Sequence, residues 1–492
     1  MTSSVFRRHA ALVAAVAAGL LGGCTVGPDF RTPEAPAAER YTEVPLPHET
    51  ASGTGLGAQA QRFVVGGELP DEWWSLYRSE PLDRLIREAL AANPTLATAQ
   101  ATLRQARETL AAGTGALLYP GVNANVTAAR EKAFSPFGPP TETFLYDLYN
   151  ASVDVSYALD LFGGNRRQLE SLGALVDYQA YQLEAARLAL TANIVTASIR
   201  EAALRAQIQA TREIIAEERD GIARVERQFK LGGVGRLELI ALQAQAAQTE
   251  ATLPPLESAL AQTRHELAAL TGRLPSEAGI PEFTLDSLHL PEELPVSLPS
   301  ELVRQRPDIR AAGALLHQAS AQVGVATANL YPQVTLTASF GAQSTELHDL
   351  LSGPPVWSLG AGLLQPLFHG GSLEAQRRAA TDAYEAAHAQ YRETVLQAFR
   401  NVADVLRSLE ADARTVKTQA DAEALARETL ELTRKQYRLG GTSYLALLVA
   451  ERQYNQARLG LVVAQATRYA DTAALFQALG GGWWNRKERP ST

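Results

Sequence analysis

Directly after Tyr331-Pro332 the chain alternates strictly: Val334, Leu336, Ala338 and Phe340 face one way, and Gln333, Thr335, Thr337 and Ser339 the other. Before Leu161, Val153, Val155, Tyr157 and Leu159 alternate in the same way with Ser152, Asp154, Ser156 and Ala158. A period of two predicts strands with one apolar and one polar face. Val122 and Val126, and Trp357, Leu359, Ala361 and Leu363, mark the two partner strands. Gly138-Pro139-Pro140 and Gly353-Pro354-Pro355 punctuate the connections as hairpin tips. Strands of about ten residues are long enough to cross a bilayer when tilted. On this reading Asp154 and Asp160 lie in a strand, on its polar face.

The pattern elsewhere is helical. Tyr391, Val395, Ala398, Val402, Val405, Leu409 and Val416 follow steps of four and three, a heptad seam broken only at Asp412. Leu396, Phe399, Ala403 and Leu406 form a second stripe beside it, and Tyr181, Leu188, Val195 and Ala202 recur at sevens earlier in the chain. Two adjoining stripes predict neighbours on both sides, as in a wall of helices. An uninterrupted helix from Asn165 to Leu231 would reach about 100 Å at 1.5 Å per residue.

The chain also repeats itself. Tyr119-Pro120 and Tyr331-Pro332 lie 212 positions apart, and Gln228-Phe229-Lys230-Leu231-Gly232-Gly233 returns 208 positions later as Gln436-Tyr437-Arg438-Leu439-Gly440-Gly441. Leu161-Phe162-Gly163-Gly164 returns as Leu367-Phe368-His369-Gly370-Gly371, and Ala269-Leu270-Thr271-Gly272 as Ala478-Leu479-Gly480-Gly481. Ordered landmarks of this kind signal duplication. The expected fold class is mainly α with membrane β-hairpins, in duplicated helix-strand-strand-long helix-helix halves. The first half spans 81–272, with its hairpin at about 121–162 and its long helix at about 165–231. The second spans 300–481, with its hairpin at about 332–368 and its long helix at about 372–439. A proline-rich linker, 273–299, joins them. With the N-terminal region 24–80 and the polar tail 482–492, expected to be loosely held from Trp483, it could form a belt around the helices.

Composition narrows the class. The net charge of −8 argues against nucleic acid, which needs a basic face. Residues 1–23 read as a secretory signal: Arg7, Arg8 and His9 precede the apolar run Ala10–Leu20, and Leu21-Gly22-Gly23-Cys24 closes a bacterial lipobox. Cys24 is the single cysteine, so no disulfide can form within the chain. Similarity to bacterial lipoproteins implies a diacylglyceryl thioether and an acylated amine on Cys24, such as palmitate. No other cofactor is expected. Beyond the signal no stretch of 18 apolar residues offers a transmembrane helix. Four membrane-length strands cannot close a barrel alone, and an open edge in lipid costs several kcal/mol per unpaired group. The strands therefore predict an oligomer.

Taken together, Cys24-Thr25-Val26-Gly27-Pro28-Asp29-Phe30, Arg304-Gln305-Arg306-Pro307-Asp308-Ile309-Arg310, Gly324-Val325-Ala326, Leu330-Tyr331-Pro332, Leu367-Phe368 with Gly370-Gly371, and Tyr437 with Leu439-Gly440 resemble the outer-membrane factor family, in particular its NodT-type lipoproteins of RND efflux systems. The likeness runs from the signal to about Trp484. It implies a homotrimer with a twelve-stranded β-barrel in the outer membrane and a twelve-helix α-barrel in the periplasm. It also implies a lipid-anchored, non-catalytic exit duct whose partners are a periplasmic adaptor and an inner-membrane RND pump. The turns Leu231-Gly232-Gly233 and Leu439-Gly440-Gly441 would be the periplasmic tips that meet the adaptor. The family's closed aperture would fall at Leu445 and Val449. Relatives carry an aspartate at the second position, so Val449 departs from the pattern. Glu451 points about 200° away on the helix. The expected gate is an apolar constriction at Leu445, with Glu238 and Arg452 as ionic locks.

Other classes fit less. The eight histidines show no His-x-x-x-His spacing, and Gly232-Gly233-Val234-Gly235 lacks the Lys-Ser/Thr of a phosphate loop, so no enzyme or metal site is expected. A coiled-coil tethering lipoprotein has no need of paired strands. A duct for type I protein secretion shares the fold and stands as the alternative. The lipobox and Pro307-Asp308-Ile309-Arg310 favour efflux.

Overall fold

The computed structural model describes residues 25–134, 143–277 and 279–486. Cys24, the signal segment, Gly138-Pro139-Pro140 and the tail beyond Arg486 lie outside the described residues. Two compact units divide the chain.

The first unit is Met1–Pro33, Thr102–Ala180 and Ala311–Arg392. Its sheet holds β2 (Gly121–Phe134), β3 (Thr143–Leu159), β5 (Gln333–Ser344) and β6 (Val356–Leu364) in the order β2-β3-β5-β6, all antiparallel. The alternation sets the register: Val122 lies opposite Val155, Val155 opposite Ala338, and Val334 opposite Leu363, so apolar positions share one face. Asp154 lies on the other face and accepts a hydrogen bond from Ser339 Oγ at 2.6 Å. Asp160 is not in the strand. It follows β3, and its carboxylate accepts the N–H groups of Asn165 and Arg166 at 3.1 and 3.0 Å, capping the helix that begins there. Alternation ran one polar residue too far because a capping acid also obeys it.

Residues 25–30 are bound against this unit. Val26 N–H donates to Phe162 O at 3.1 Å. The buried Arg167 guanidinium donates to Val26 O at 3.2 Å and to Asp29 at 2.7 Å, and Phe30 stacks on His317 at 4.3 Å. Gly27 has φ +91°, and a Cβ there would lie 2.4 Å from the Gly324 Cα. The Gly27 and Gly324 segments thus meet backbone to backbone, where only glycine fits.

The second unit is Glu34–Ala101, Tyr181–Arg310 and Glu393–Thr492. Helix α1 is Glu80–Ala92, and α2, which has residues in both units, is Pro94–Leu118. The 67-residue α3 (Gly164–Lys230) turns into α4 (Arg236–Leu270). Short α5 (Pro299–Gln305) leads to α6 (Pro307–Ala328), and the 67-residue α7 (Ser372–Arg438) turns into α8 (Tyr444–Ala478). Among the described residues no helix is long and apolar enough to cross a membrane. In α7 the buried seam runs Val395, Ala398, Val402, Leu406, Leu409, Ala413 and Val416. Leu406 and Ala413 replace the expected Val405 and Asp412, because a straight helix drifts about 20° per heptad from a strict 3.5 repeat. Asp412 therefore does not interrupt the seam; it stands beside it.

The regions flanking the helices meet in this unit. β1 (Arg62–Val65) pairs in parallel with β4 (Glu293–Val296) of the linker. Buried Glu201 on α3 accepts from Arg205, Arg264 and Phe283 N–H, each at 2.8 Å, and so holds the linker. Arg306 donates to Ala478 O at 2.8 Å and pairs with Asp308. The tail is not loose up to Arg486. Trp483 donates to Gln305 O at 2.7 Å, and Arg486 bridges Glu184 and Asp71 at 2.7 and 3.2 Å. A polar composition hid two tryptophans and an arginine with fixed partners.

Candidate functional site at the helical turns

Both long helices end in the same way. Gly232 and Gly440 adopt φ +76° and +73°, and the N–H groups of Gly233 and Gly441 reach back to Gln228 O and Gln436 O, each at 2.9 Å. This six-to-one bond is the glycine-terminated helix end that caps the last free carbonyls. It leaves Leu231 and Leu439 at the turns 86 % and 87 % exposed. Next to them, Leu237 and Leu445 occupy equivalent positions 208 apart and are also exposed. Sequence reading singled out Leu445 and missed Leu237, although the repeat offset points to it.

Behind the turns Val225, Leu242, Leu430, Tyr444, Leu447 and Ala450 form a buried cluster contributed by α3, α4, α7 and α8. Tyr437 and Tyr444 meet edge to face at 5.4 Å. A cleft of about 1180 Å³ opens beside the cluster and is lined with charge. In it, Arg434 on α7 donates to Glu217 on α3 at 2.8 Å and to Glu451 on α8 at 3.3 Å. One guanidinium thereby ties together three helices. Glu218 is buried; its Oε1 accepts from Thr249 Oγ1 at 3.0 Å, and Oε2 has no partner among the described residues. Burial pushes the Glu218 carboxyl up, and the Glu451 charge pushes in the same direction. Burial also raises Glu451, against the pull of Arg434.

The expected gate residues are distributed around this core. Val449 is half-buried one turn beyond the exposed Leu445, while Leu447 and Ala450 face the cluster. Arg452 is exposed. Glu238 is exposed too, and accepts the Gly235 N–H at 3.3 Å, so it caps its own helix. Glu451, set aside in the sequence reading because it points away from Val449, points instead at Arg434. Arg434 itself had a signal: it stands four residues after buried Leu430 and three before Tyr437, where the heptad asks for an apolar side chain.

Edge-exposed membrane-length strands and paired helices capped at matching turns define one subunit's share of a channel wall. The description "outer membrane efflux protein" matches residues 85–273 and 298–481, the two repeats, and the chain belongs to that family. It is 30 % identical to the pyoverdine export outer membrane protein OpmQ of Pseudomonas aeruginosa, over 88 % of this chain and 93 % of that one. It is 27 % identical to the probable outer membrane lipoprotein SilC of Salmonella typhimurium, over 94 % and 97 % of the two chains. The solved MtrE outer membrane channel of Neisseria gonorrhoeae, in its open state, superposes with a TM-score of 0.79 at 28 % identity, over 95 % of this chain and all of that one. The chain is an outer-membrane efflux channel subunit and not an enzyme.

Proposed function

We propose that three copies assemble into a passive duct that completes a tripartite pump, carrying small toxic compounds delivered by an inner-membrane RND transporter and a periplasmic adaptor. The observation that carries this reading is the sheet of the first unit: four strands whose two edges, β2 and β6, are unpaired among the described residues. In lipid those edges must be closed by other copies. The duct is anchored through acylated Cys24, since residues 25–30 are held against the strand-bearing unit. The turns at Leu231-Gly232-Gly233 and Leu439-Gly440-Gly441 meet the adaptor, because solvent-exposed leucines at fixed turns suit a protein partner.

The resting duct is constricted at Leu445 and Val449, with Arg452 and Glu238 near its rim. Arg434 keeps the helix turns together through Glu217 and Glu451. Planar-bilayer recording tests the closure. Wild-type protein gives small, infrequent currents, and Leu445→Ala enlarges them. Currents that stay at the wild-type level in both Leu445→Ala and Arg452→Ala remove these residues from the gate.

A further inference from the structure

We infer the register in which neighbouring copies join their sheets: β6 of one copy pairs antiparallel with β2 of the next, with Leu363 opposite Val126. This rests on the oligomeric duct proposed above and adds the residue-level geometry of its seam.

The template is the seam within the chain. β3 and β5 belong to different repeats, yet they pair along their length, with Val155 opposite Ala338. The duplication makes β2 the counterpart of β5, and β3 the counterpart of β6. Two independent offsets fix the correspondence. The Tyr-Pro pairs are 212 positions apart, and the long helices and their turns are 208 apart. Both hold in the sheet. Val122 pairs with Val155 in the first hairpin, and Val334 pairs with Leu363 in the second; Val334 lies 212 beyond Val122, and Leu363 lies 208 beyond Val155. Carrying the β3–β5 pair forward by 208 on one side and back by 212 on the other places Leu363 opposite Val126 of the adjacent copy.

Three features of the strands agree with this register. All nine residues of β6 then fall within β2, from Asn125 opposite Leu364 to Ala133 opposite Val356. The apolar faces coincide over the lower half of the seam: Ala361 meets Ala128 and Leu363 meets Val126, while Leu359 and Trp357 fall opposite Arg130 and Lys132; a slip of one would set Leu363 against Asn125 or Thr127. Every residue of β6 and all of β2 but Ala133 are exposed, as the unpartnered edges of the sheet should be.

Cysteine pairs test the register. Cys24 is the one native cysteine, so few thiols compete. Ala361→Cys is combined in turn with Ala128→Cys, Val126→Cys and Ala124→Cys. The full-length protein is oxidised in outer-membrane preparations and run on denaturing and native gels. The register predicts a covalent trimer in highest yield with Ala128→Cys, falling through Val126→Cys to Ala124→Cys. Highest yield at Val126→Cys or Ala124→Cys, or no cross-link while native gels show intact trimers, overturns it. An absence of trimers on the native gel overturns the oligomer itself, and the register with it.

Discussion

Arg434 on α7 and Glu217 on α3 lie 2.8 Å apart across 217 residues of sequence, and the same guanidinium reaches Glu451 on α8. Both pairs are partly solvent-exposed, so each contributes at most about 1 kcal/mol. That is too little to hold a fold and enough to bias a two-state opening several-fold. Arg434→Ala should raise open probability in planar bilayers with little change in the melting temperature of the protein. An unchanged open probability would show that this three-helix tie does not restrain the turns.

The exposed leucines at the turns make no core contact to lose. Leu231→Asp with Leu439→Asp should leave stability within about 0.5 kcal/mol, as surface substitutions do. Efflux in cells should fall sharply, because a charge now sits at the proposed adaptor contact. Normal efflux from a correctly inserted double variant would place adaptor contact elsewhere.

Asp412 on α7 lies within reach of the charges of Asp471 and Arg468 on α8. Burial, followed by the Asp471 charge, raises the Asp412 carboxyl from 3.8 to about 7. The folded chain therefore keeps a proton that the unfolded chain has released. This stabilisation is complete below 3.8 and is lost as pH rises through about 7. Because the group is half open to water, its contribution is discounted to about 1 kcal/mol. Thermal melts of Asp412→Asn should match wild type near pH 4 and exceed it at pH 8. Parallel melting curves across that range would contradict the raised Asp412 carboxyl.

Cys24 precedes a segment whose Val26 N–H is bonded to Phe162 O. Intact-mass spectrometry of membrane-extracted protein should show the mass from Cys24 onward plus the acyl groups, and Cys24→Ser should lose that added mass. A native chain that retains residues 1–23 would refute lipidation.

Periodicity exposed the strands and long helices because a single repeated constraint shaped each of them: a two-sided sheet in one case, a helix packed on its neighbours in the other. The duplication was legible for the same reason, since both halves solve one problem with the same punctuation. What escaped were contacts between distant segments. Nothing local marks Glu201 as the residue that holds the linker, or Arg486 as the partner of Asp71 and Glu184. Arg434 was visible only as a charge on an apolar stripe, and its two partners lie on other helices. The gate stands furthest from what sequence alone specifies, because a lumen exists only when several copies surround it.

The most direct measurement of the central claim is deletion of this gene, followed by susceptibility profiling across drugs, dyes, detergents and metal salts. The strain should become several-fold more sensitive to at least one class. Wild-type protein should restore resistance, and the Leu231→Asp, Leu439→Asp variant should not. Unchanged susceptibility across the whole panel, in a strain shown to express the protein, would contradict its role as an efflux duct.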